Sequence, residues 1–282
     1  MTPTFSFEFF PPRNDEAAAR LRDTYRRLAQ LAPEFFSVTF GAGGSTQAMT
    51  LETVLDISRQ TGVEGAPHLS CIGSQKEGIR EIIDSYRSHG VRRIVALRGD
   101  LPSGMLNIGE FRYASELVEF IRRETGDHFL IEVAAYPEVH PQARDVEADL
   151  ASFKRKVEAG ANSALTQYFY NADAYFDFVD RCLAVGVNVP IVPGIMPITN
   201  FSQLRRFSEA CGAEIPRWMQ KRLESFGDDR ESIRAFGVEA VTALCRRLLD
   251  NGAPGLHFYT MNQAEAVLGI WGNLGLANGA GK

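Results

Sequence analysis

The 282-residue sequence contains only four cysteines, and they are too far apart to form a metal or disulfide pattern. They are Cys71, Cys182, Cys211 and Cys245, with no C-x-x-C spacing among them. Zinc sites and disulfide frameworks depend on closely spaced or regularly paired cysteines. We therefore expect reduced, buried thiols of the kind found in cytosolic proteins.

Long apolar runs and an excess of basic charge are also missing. No stretch approaches the roughly 20 apolar residues that a membrane helix needs, and the amino terminus does not read as a secretion signal. The net charge is -5 and the isoelectric point about 5.6, which argues against a nucleic-acid surface or an anionic-membrane binder. We expect a soluble, cytoplasmic protein with no nucleic-acid or membrane partner.

Eight apolar, β-rich runs alternate with amphipathic segments along the chain. The runs cover residues 5–10, 35–40, 66–72, 93–100, 130–137, 163–169, 190–197 and 255–261. The predicted helices cover residues 16–31, 51–61, 76–89, 113–125, 146–159, 172–185, 201–211, 217–225, 229–251 and 264–274. Three of these helices lie between the seventh and eighth runs, where the other gaps hold one.

This alternation, with a repeat of roughly thirty residues, is typical of a single α/β domain folded as a (β/α)₈ TIM barrel. We predict that the barrel covers residues 1–276, with extra helices between strands 7 and 8. The main rival is an open doubly wound sheet, which normally carries a Gly-rich phosphate turn after its first strand. Here Pro11 and Pro12 follow that strand. The tail 277–282 has no core-forming residues, and we expect it to be disordered.

The first predicted strand carries a carboxylate among aromatic residues. Alternation puts Phe5, Phe7 and Phe9 on one face and Ser6 and Glu8 on the other. A carboxyl group in an apolar setting can keep its proton near neutral pH, as a general acid must. A salt-bridged or solvated Glu8 with a purely structural role is the alternative.

Polar residues also end most of the other predicted strands. The rim of the barrel would hold Glu8, Thr39, His68, Arg98, Asp100, Tyr136, Gln167 and Tyr259. Active sites of such barrels lie at the carboxyl ends of the strands, so these residues predict a polar-lined pocket there.

The sequence lacks the residues that several common enzyme chemistries require. None of the five lysines stands on a predicted strand, as a Schiff-base aldolase requires. A G-x-S-x-G nucleophile motif is absent, and the glycine-rich turn at 41–45 is not followed by a phosphate-loop lysine. Only His68 and His257 fall on predicted strands, so we expect no metal site. Chemistry supplied by an organic cofactor remains.

Nine motifs together resemble the 5,10-methylenetetrahydrofolate reductase family over residues 4–276. They occur in the order SFEFFPP, SVTFGAGG, PHLSC, IVALRGD, VAAYPEVHP, KRKVEAGAN, TQYFY, PGIMPITNF and HFYTMN. The chain is similar to the short bacterial form. The resemblance implies a (β/α)₈ barrel that binds FAD and a ping-pong reaction. NADH or NADPH would reduce the flavin, which then reduces methylenetetrahydrofolate to 5-methyltetrahydrofolate for methionine synthesis.

The resemblance also implies roles for individual residues. Glu8 would be the general acid that protonates folate N10, and Asp100 would stabilise the resulting cation beside the flavin. The implied FAD contacts are Thr39, His68, Arg98, Gly99, Asp100, Tyr113, Ala114, Ala134, Tyr136, His140, Asp149 and Lys156. The implied substrate contacts are Glu8, Asp100, Gln167, Gln203, Phe207, Tyr259, Met261 and Gln263.

At Gln263 the chain departs from the family, which often has an arginine there that approaches the glutamate tail of folate. Arg217, Lys221 and Arg222 are the candidates to replace that charge. The family resemblance further implies a homo-oligomer, and the bacterial form favours NADH. The alternatives are a proline dehydrogenase-like barrel, a folate methyltransferase-like barrel, or a catalytically silent barrel that serves as a binding protein.

Overall fold

The computed structural model describes residues 2–40, 46–100 and 109–276. The glycine-rich turn at 41–45 and the predicted disordered tail at 277–282 lie outside the described residues. Ten helices and nine strands are assigned within these ranges.

All strand pairs in the described sheet are parallel, as the prediction of a TIM barrel requires. The strands are β1 (Thr4–Phe9), β2 (Phe35–Val38), β3 (Glu64–Ser70), β4 (Arg93–Leu97), β5 (Leu130–Ala135), β6 (Ser163–Thr166), β7 (Ile191–Val192), β8 (Gly194–Ile195) and β9 (Gly255–Tyr259). Their order in the sheet is β7-β6-β5-β4-β3-β2-β1-β9-β8. The barrel fold is therefore confirmed.

The seventh predicted strand is divided in two at Pro193. β7 pairs with β6 on one side of the break, and β8 pairs with β9 on the other, so the two pieces together occupy one position of the barrel. Proline has no N–H to donate to a ladder, which explains the interruption. After the break, the Gly194 N–H donates to Thr166 Oγ1 of β6 at 2.9 Å. The two backbones are so close here that a Cβ at Gly194 would lie 2.1 Å from the Thr166 carbonyl oxygen.

The helices surround the sheet much as predicted. They are α1 (Asp15–Ala29), α2 (Gln47–Thr61), α3 (Lys76–Ser88), α4 (Ala114–Thr125), α5 (Val146–Glu158), α6 (Ala172–Ala184), α7 (Phe201–Cys211), α8 (Arg217–Ser225), α9 (Arg230–Asp250) and α10 (Glu265–Leu274). α7, α8 and α9 are the extra helices, and they precede the last strand as expected. Asn14 caps α1 by accepting from the Ala17 N–H at 2.8 Å.

Strand β1 shows how alternation distributes side chains between two cores. Phe7 and Phe9 are fully buried in the main core, where the Phe7 ring contacts those of Phe36, Phe258 and Trp271. Inside the barrel a smaller apolar cluster is formed by Phe35, Ala66, Val95 and Leu165. Ser6 and Glu8 point to that inner side, where they contact His257.

Candidate active site

A cavity of about 540 Å³ opens at the carboxyl ends of the strands. Twelve of the residues predicted for the site line it: Glu8, Thr39, His68, Gly99, Asp100, Ala134, Tyr136, His140, Gln167, Phe207, Tyr259 and Met261. The tertiary structure therefore brings together residues that span most of the sequence. Polar groups from separate strands converge on one concave surface, as a small-molecule site requires.

The strands end earlier than predicted, so several site residues lie in the loops that follow. β4 ends at Leu97, which leaves Arg98, Gly99 and Asp100 beyond the strand. Gly99 has φ +85°, and a Cβ there would lie 1.9 Å from Ser70 Oγ. Ser70 Oγ instead donates to the Arg98 carbonyl oxygen at 2.9 Å. This close crossing needs glycine and turns the loop so that Asp100 lines the cavity.

Glu8 lies between two imidazoles on the inner face of β1. Its Oε2 atom is 3.3 Å from His68 Nε2 and 3.5 Å from His257 Nε2. Burial by itself raises the pKa of Glu8, but the charge of His68 and the hydrogen bond with His257 outweigh it and lower the pKa to about 2. The expectation that aromatic neighbours keep Glu8 protonated is therefore wrong. The phenylalanines lie on the opposite face of the strand, and imidazoles surround the carboxylate.

Two buried polar atoms in this part of the barrel have no well-oriented hydrogen bond among the described residues: Ser37 Oγ and His68 Nε2. His68 Nε2 is close enough to Glu8 for ion pairing, but its direction does not complete a hydrogen bond. Buried polar groups are nearly always paired in native proteins. Because His68 also lines the cavity, its ring has capacity for a polar atom of a ligand.

A half-buried cation, Lys156, lies behind one wall of the cavity. Lys156 Nζ donates to the carbonyl oxygen of Ala134, which lines the cavity. Burial lowers the pKa of Lys156 to about 8, against the opposing effect of the Asp149 carboxylate. Asp149 Oδ2 in turn accepts from the backbone N–H of His140 at 2.8 Å. A lysine with little solvation and, within the part of the chain that the structure describes, no directly bonded carboxylate suits an anionic ligand such as a phosphate.

Some predicted residues do not line the described cavity. These are Arg98, Tyr113, Ala114, Asp149, Lys156, Gln203 and Gln263. Arg98 is close by, since its guanidinium donates at 2.6 Å to Gln142, a lining residue. Tyr113 is 55% exposed at the start of α4, and Gln263 is exposed after β9. The candidates Arg217, Lys221 and Arg222 lie on α8 and also stay outside the cavity.

Sequence reasoning missed several lining residues and one buried partner of Glu8. The missed lining residues include Phe10, Leu97, Gln142, Tyr168, Met196 and Cys211. The missed partner is His257, which is fully buried. Alternation was a usable signal for it, because His257 shares a strand face with Tyr259 and stands opposite Ser6 in the parallel register.

The chain after β9 ties the end of β1 in place. Thr260 Oγ1 donates to the Glu8 carbonyl oxygen at 2.6 Å. Asn262 accepts from the Phe10 N–H at 2.9 Å and donates to the Phe10 carbonyl oxygen at 3.0 Å. Met261 and Asn262 adopt positive φ angles of 51° and 57°. Such strain in non-glycine residues is typical of functional sites, and here it orients the segment that carries Glu8.

The site holds groups that can take part in proton transfer and hydrogen bonding. No group of His, Cys, Asp and Glu that could hold a metal ion occurs within residues 2–40, 46–100 and 109–276. In the same described part of the chain, none of the helices combines the length and apolarity of a membrane span. The carboxylate of Glu8, the imidazole of His68 and the amide of Gln167 line the cavity and supply an acid–base group and hydrogen-bonding partners for a polar heterocycle.

Comparisons with known proteins agree with the motifs. A family model described as methylenetetrahydrofolate reductase matches residues 1–275. The chain is 43% identical over 274 residues to the 5,10-methylenetetrahydrofolate reductase of Escherichia coli K12, with 97% of this chain and 91% of that protein covered. It is 39% identical over 285 residues to methylenetetrahydrofolate reductase (NADH) 1 of Arabidopsis thaliana, covering 96% of this chain and 48% of that protein.

A solved structure shares the fold at low sequence identity. It is an uncharacterised protein from Clostridium thermocellum that binds two copies of 5-methyl-5,6,7,8-tetrahydrofolic acid. The two chains superpose with a TM-score of 0.70 at 15% identity, over 97% of this chain and 94% of the other. At that identity the likeness concerns the fold alone.

Proposed function

Since the chain belongs to the methylenetetrahydrofolate reductase family, we propose that it reduces 5,10-methylenetetrahydrofolate to 5-methyltetrahydrofolate with bound FAD, in a ping-pong reaction with NADH. The observation that carries the proposal is the buried Glu8 carboxylate, which lines a cavity of about 540 Å³ beside two imidazoles. Reduction of this substrate needs a proton at one nitrogen as well as a hydride at carbon, and Glu8 is the carboxylate placed to deliver the proton.

The residues around the cavity fit FAD as the cofactor. Lys156 is a half-buried cation that suits the pyrophosphate. The Asp149 carboxylate suits a hydrogen bond to the ribose or the adenine. His68 has an Nε2 atom without a well-oriented hydrogen bond and offers it to the flavin side of the ligand. Thr39, Ala134, Tyr136 and His140 line the same cavity. When bound, FAD would supply the hydride that the folate methylene carbon accepts.

We assign the proton step to Glu8. Its carboxyl group gives a proton to N10 of methylenetetrahydrofolate, and the bond from N10 to the methylene carbon breaks with its electron pair left on N10. The methylene group remains on N5 as an iminium cation, which is the hydride acceptor. The Asp100 carboxylate lines the same cavity, and its negative charge would stabilise that cation.

Other lining residues hold the substrate in this proposal. The Gln167 amide can donate and accept along one edge of the pterin. Phe207 offers an aromatic face for the aminobenzoyl ring, or for nicotinamide in the other half-reaction. Tyr259 and Met261 complete the lining next to Glu8. Gln203 in the first turn of α7 and the exposed Gln263 are assigned to the outer part of the substrate.

The choice of NADH over NADPH rests on relatives. The Arabidopsis protein that is 39% identical to this chain carries NADH in its name. The family resemblance also supports a cytoplasmic homo-oligomer whose product supplies methionine synthesis.

A visible spectrum of the purified protein, followed without oxygen, tests the proposal. We expect a flavin band that bleaches on addition of NADH and returns on addition of methylenetetrahydrofolate. A colourless protein that takes up no FAD would refute the flavin assignment and favour a silent binding barrel. A band that bleaches but does not return with the folate would refute the substrate assignment.

A further inference from the structure

The cavity is lined without a cation, although its proposed substrate is an anion. Among the described residues that line the cavity, none is lysine or arginine, and Glu8 and Asp100 add negative charge. Methylenetetrahydrofolate carries carboxylates on its glutamate tail, which are ionised at neutral pH. Arginine suits carboxylates best, because its guanidinium matches them with two parallel hydrogen bonds. We therefore expect a cation for the tail just outside the lined part of the cavity.

Arg206 on α7 is a cation in that position. Its guanidinium carbon lies 5.9 Å from the centre of the Phe207 ring, and Phe207 lines the cavity. Ala210, four residues after Arg206, lines the cavity as well, and residues at this spacing share one side of a helix. Arg206 therefore lies on the side of α7 that is turned to the cavity.

The guanidinium of Arg206 is free to bind a ligand. The side chain is exposed, and within the described part of the chain its contact is the Phe207 ring, with no hydrogen bond or ion pair. The preceding residue differs in this respect, since Arg205 is paired with Glu209 at 3.8 Å. Two adjacent arginines of one helix thus have different surroundings, and the unpaired one lies next to the cavity.

The cations of α8 fit this task less well. Lys221 is already paired with Glu224 at 2.8 Å. The guanidinium of Arg222 lies over the ring of Phe226, which is not among the residues that line the cavity. Arg206 is therefore the better candidate for a charge at the outer end of the substrate.

We propose that Arg206 binds the glutamate carboxylates of the folate and so supplies the positive charge that Gln263 lacks. This proposal rests on the proposed function, in which Phe207 holds the aminobenzoyl ring. One amide bond joins that ring to the glutamate, so the carboxylates come within reach of the long side chain beside Phe207. Arg206 determines the affinity for the tail and takes no part in the proton or hydride step.

Arg206→Gln tests the proposal, with Arg205→Gln as the matched control. The measurement is the dissociation constant of 5-methyltetrahydrofolate, the proposed product, by isothermal titration calorimetry. We expect Arg206→Gln to raise this constant about 5- to 10-fold, because an exposed hydrogen-bonded ion pair is lost, and Arg205→Gln to change it less than about 2-fold. Arg206→Lys keeps the charge without the paired geometry and should raise the constant less than Arg206→Gln. Equal constants for wild type and Arg206→Gln would overturn the proposal.

A neutral ligand shows whether the lost affinity belongs to the carboxylates. In the bis-amide of 5-methyltetrahydrofolate, the pterin and benzoyl rings are unchanged and both carboxylates are uncharged. Wild type and Arg206→Gln should bind this compound equally. If Arg206→Gln weakens the bis-amide as much as the natural ligand, the substitution acts through the Phe207 ring and the proposal is wrong.

The NADH half-reaction distinguishes carboxylates from phosphates. NADH is an anion through its pyrophosphate and is proposed to enter the same cavity. We expect the NADH concentration that half-saturates flavin reduction in stopped-flow experiments to stay within about 2-fold of wild type in Arg206→Gln. A larger change for NADH than for the folate would overturn the proposal and assign the cation to phosphates. A wild-type protein that neither binds 5-methyltetrahydrofolate nor is reoxidised by methylenetetrahydrofolate would instead refute the proposed function, and this inference with it.

Discussion

Charged groups lie at both ends of the barrel: around Arg93 at the amino ends of the strands, here called the floor, and around Glu8 at their carboxyl ends, the mouth. Of these two clusters, the one at the floor is well paired and the one at the mouth is not. At the floor, the Arg93 guanidinium contacts Glu34 and Glu132 at 2.6 Å and Glu64 at 3.0 Å. It also lies over the Phe35 ring at 4.4 Å. At the mouth, Glu8 approaches two imidazoles at longer distances, and Nε2 of His68 has no well-oriented hydrogen bond among the described residues.

The difference separates a structural cluster from a functional one. A buried charge is tolerated when good geometry and extra hydrogen bonds repay its lost solvation, as the three carboxylates do for Arg93. An incompletely bonded polar group is costly and is retained where it serves a ligand. The cluster at the floor therefore joins strands, and the mouth keeps a hydrogen-bonding nitrogen, His68 Nε2, that can serve a ligand.

The largest expected effect comes from Glu8→Gln at the mouth. The amide cannot deliver a proton, so flavin reoxidation by methylenetetrahydrofolate should fall by about 10²- to 10⁴-fold. Flavin reduction by NADH should remain near the wild-type rate, because that half-reaction needs no acid. Stopped-flow measurement of each half-reaction checks the split. Parallel loss of both rates would make Glu8 a structural residue like Arg93.

Arg93→Met removes the ion pairs at the floor instead. The change leaves buried Glu132 without its cation, and we expect a loss of about 3–5 kcal/mol in the free energy of unfolding, measured by urea denaturation. The neighbouring Arg92→Met is the control, because Arg92 is exposed and bonds to His128 at the surface. Similar stabilities of the two variants would remove the distinction between floor and mouth.

The pH dependence of stability sharpens the contrast at Glu8. Its pKa is lowered from 4.5 to about 2 on folding, so the ionised group stabilises the folded chain above pH 4.5. That stabilisation, roughly 3 kcal/mol, is lost as the pH falls from 4.5 toward 2. The stability difference between wild type and Glu8→Gln should therefore shrink over this range in denaturation series. A difference that stays constant with pH would contradict the ionised state of Glu8.

Lys156→Met tests whether Lys156, which lies behind the cavity wall and has no carboxylate partner among the described residues, contributes to cofactor binding. We expect the FAD dissociation constant to rise about 10- to 100-fold, as for loss of a hydrogen bond to a charged group. The pKa of Lys156 is about 8, so wild-type affinity should weaken as the pH rises through 8, and the variant should lose this dependence. Lys154→Met, on the exposed side of α5 and paired with Glu158, is the control for fluorescence titrations. Equal affinities would place the phosphate elsewhere.

The smallest expected effect concerns Asn262, whose two hydrogen bonds to Phe10 fix the end of the strand that carries Glu8. Asn262→Ala removes two hydrogen bonds to Phe10 and places alanine at φ 57°, so we expect a loss of about 1–2 kcal/mol in stability by thermal denaturation. Asn262→Gly keeps the backbone angle but not the hydrogen bonds. If the glycine variant is as stable as wild type, the two hydrogen bonds contribute nothing to stability, and backbone strain alone explains the alanine result.

Much of the fold followed from local patterns. The alternation of β-rich and amphipathic segments predicted the barrel, and the polar strand ends predicted seven of the residues that line the cavity. The family resemblance added five more, Gly99, Ala134, His140, Phe207 and Met261. The break at Pro193 was also readable in principle, since proline cannot extend a ladder on both sides. Strand ends were overestimated at β4, β5 and β6, which end at Leu97, Ala135 and Thr166.

The protonation state of Glu8 could not be predicted from its neighbours in the sequence. The phenylalanines beside it in sequence point to the opposite face of β1, and the two imidazoles that surround it come from strands β3 and β9. The Arg93 cluster is of the same kind, since its carboxylates lie on three other segments.

The sequence by itself determined the barrel, the family and twelve residues of the cavity, because periodicity and motifs are properties of the chain that do not depend on tertiary contacts. The tertiary structure alone decided which charges are satisfied and which are left able to react. Electrostatic surroundings depend on distances of a few ångströms between groups far apart in the chain, and only the closed barrel sets those distances.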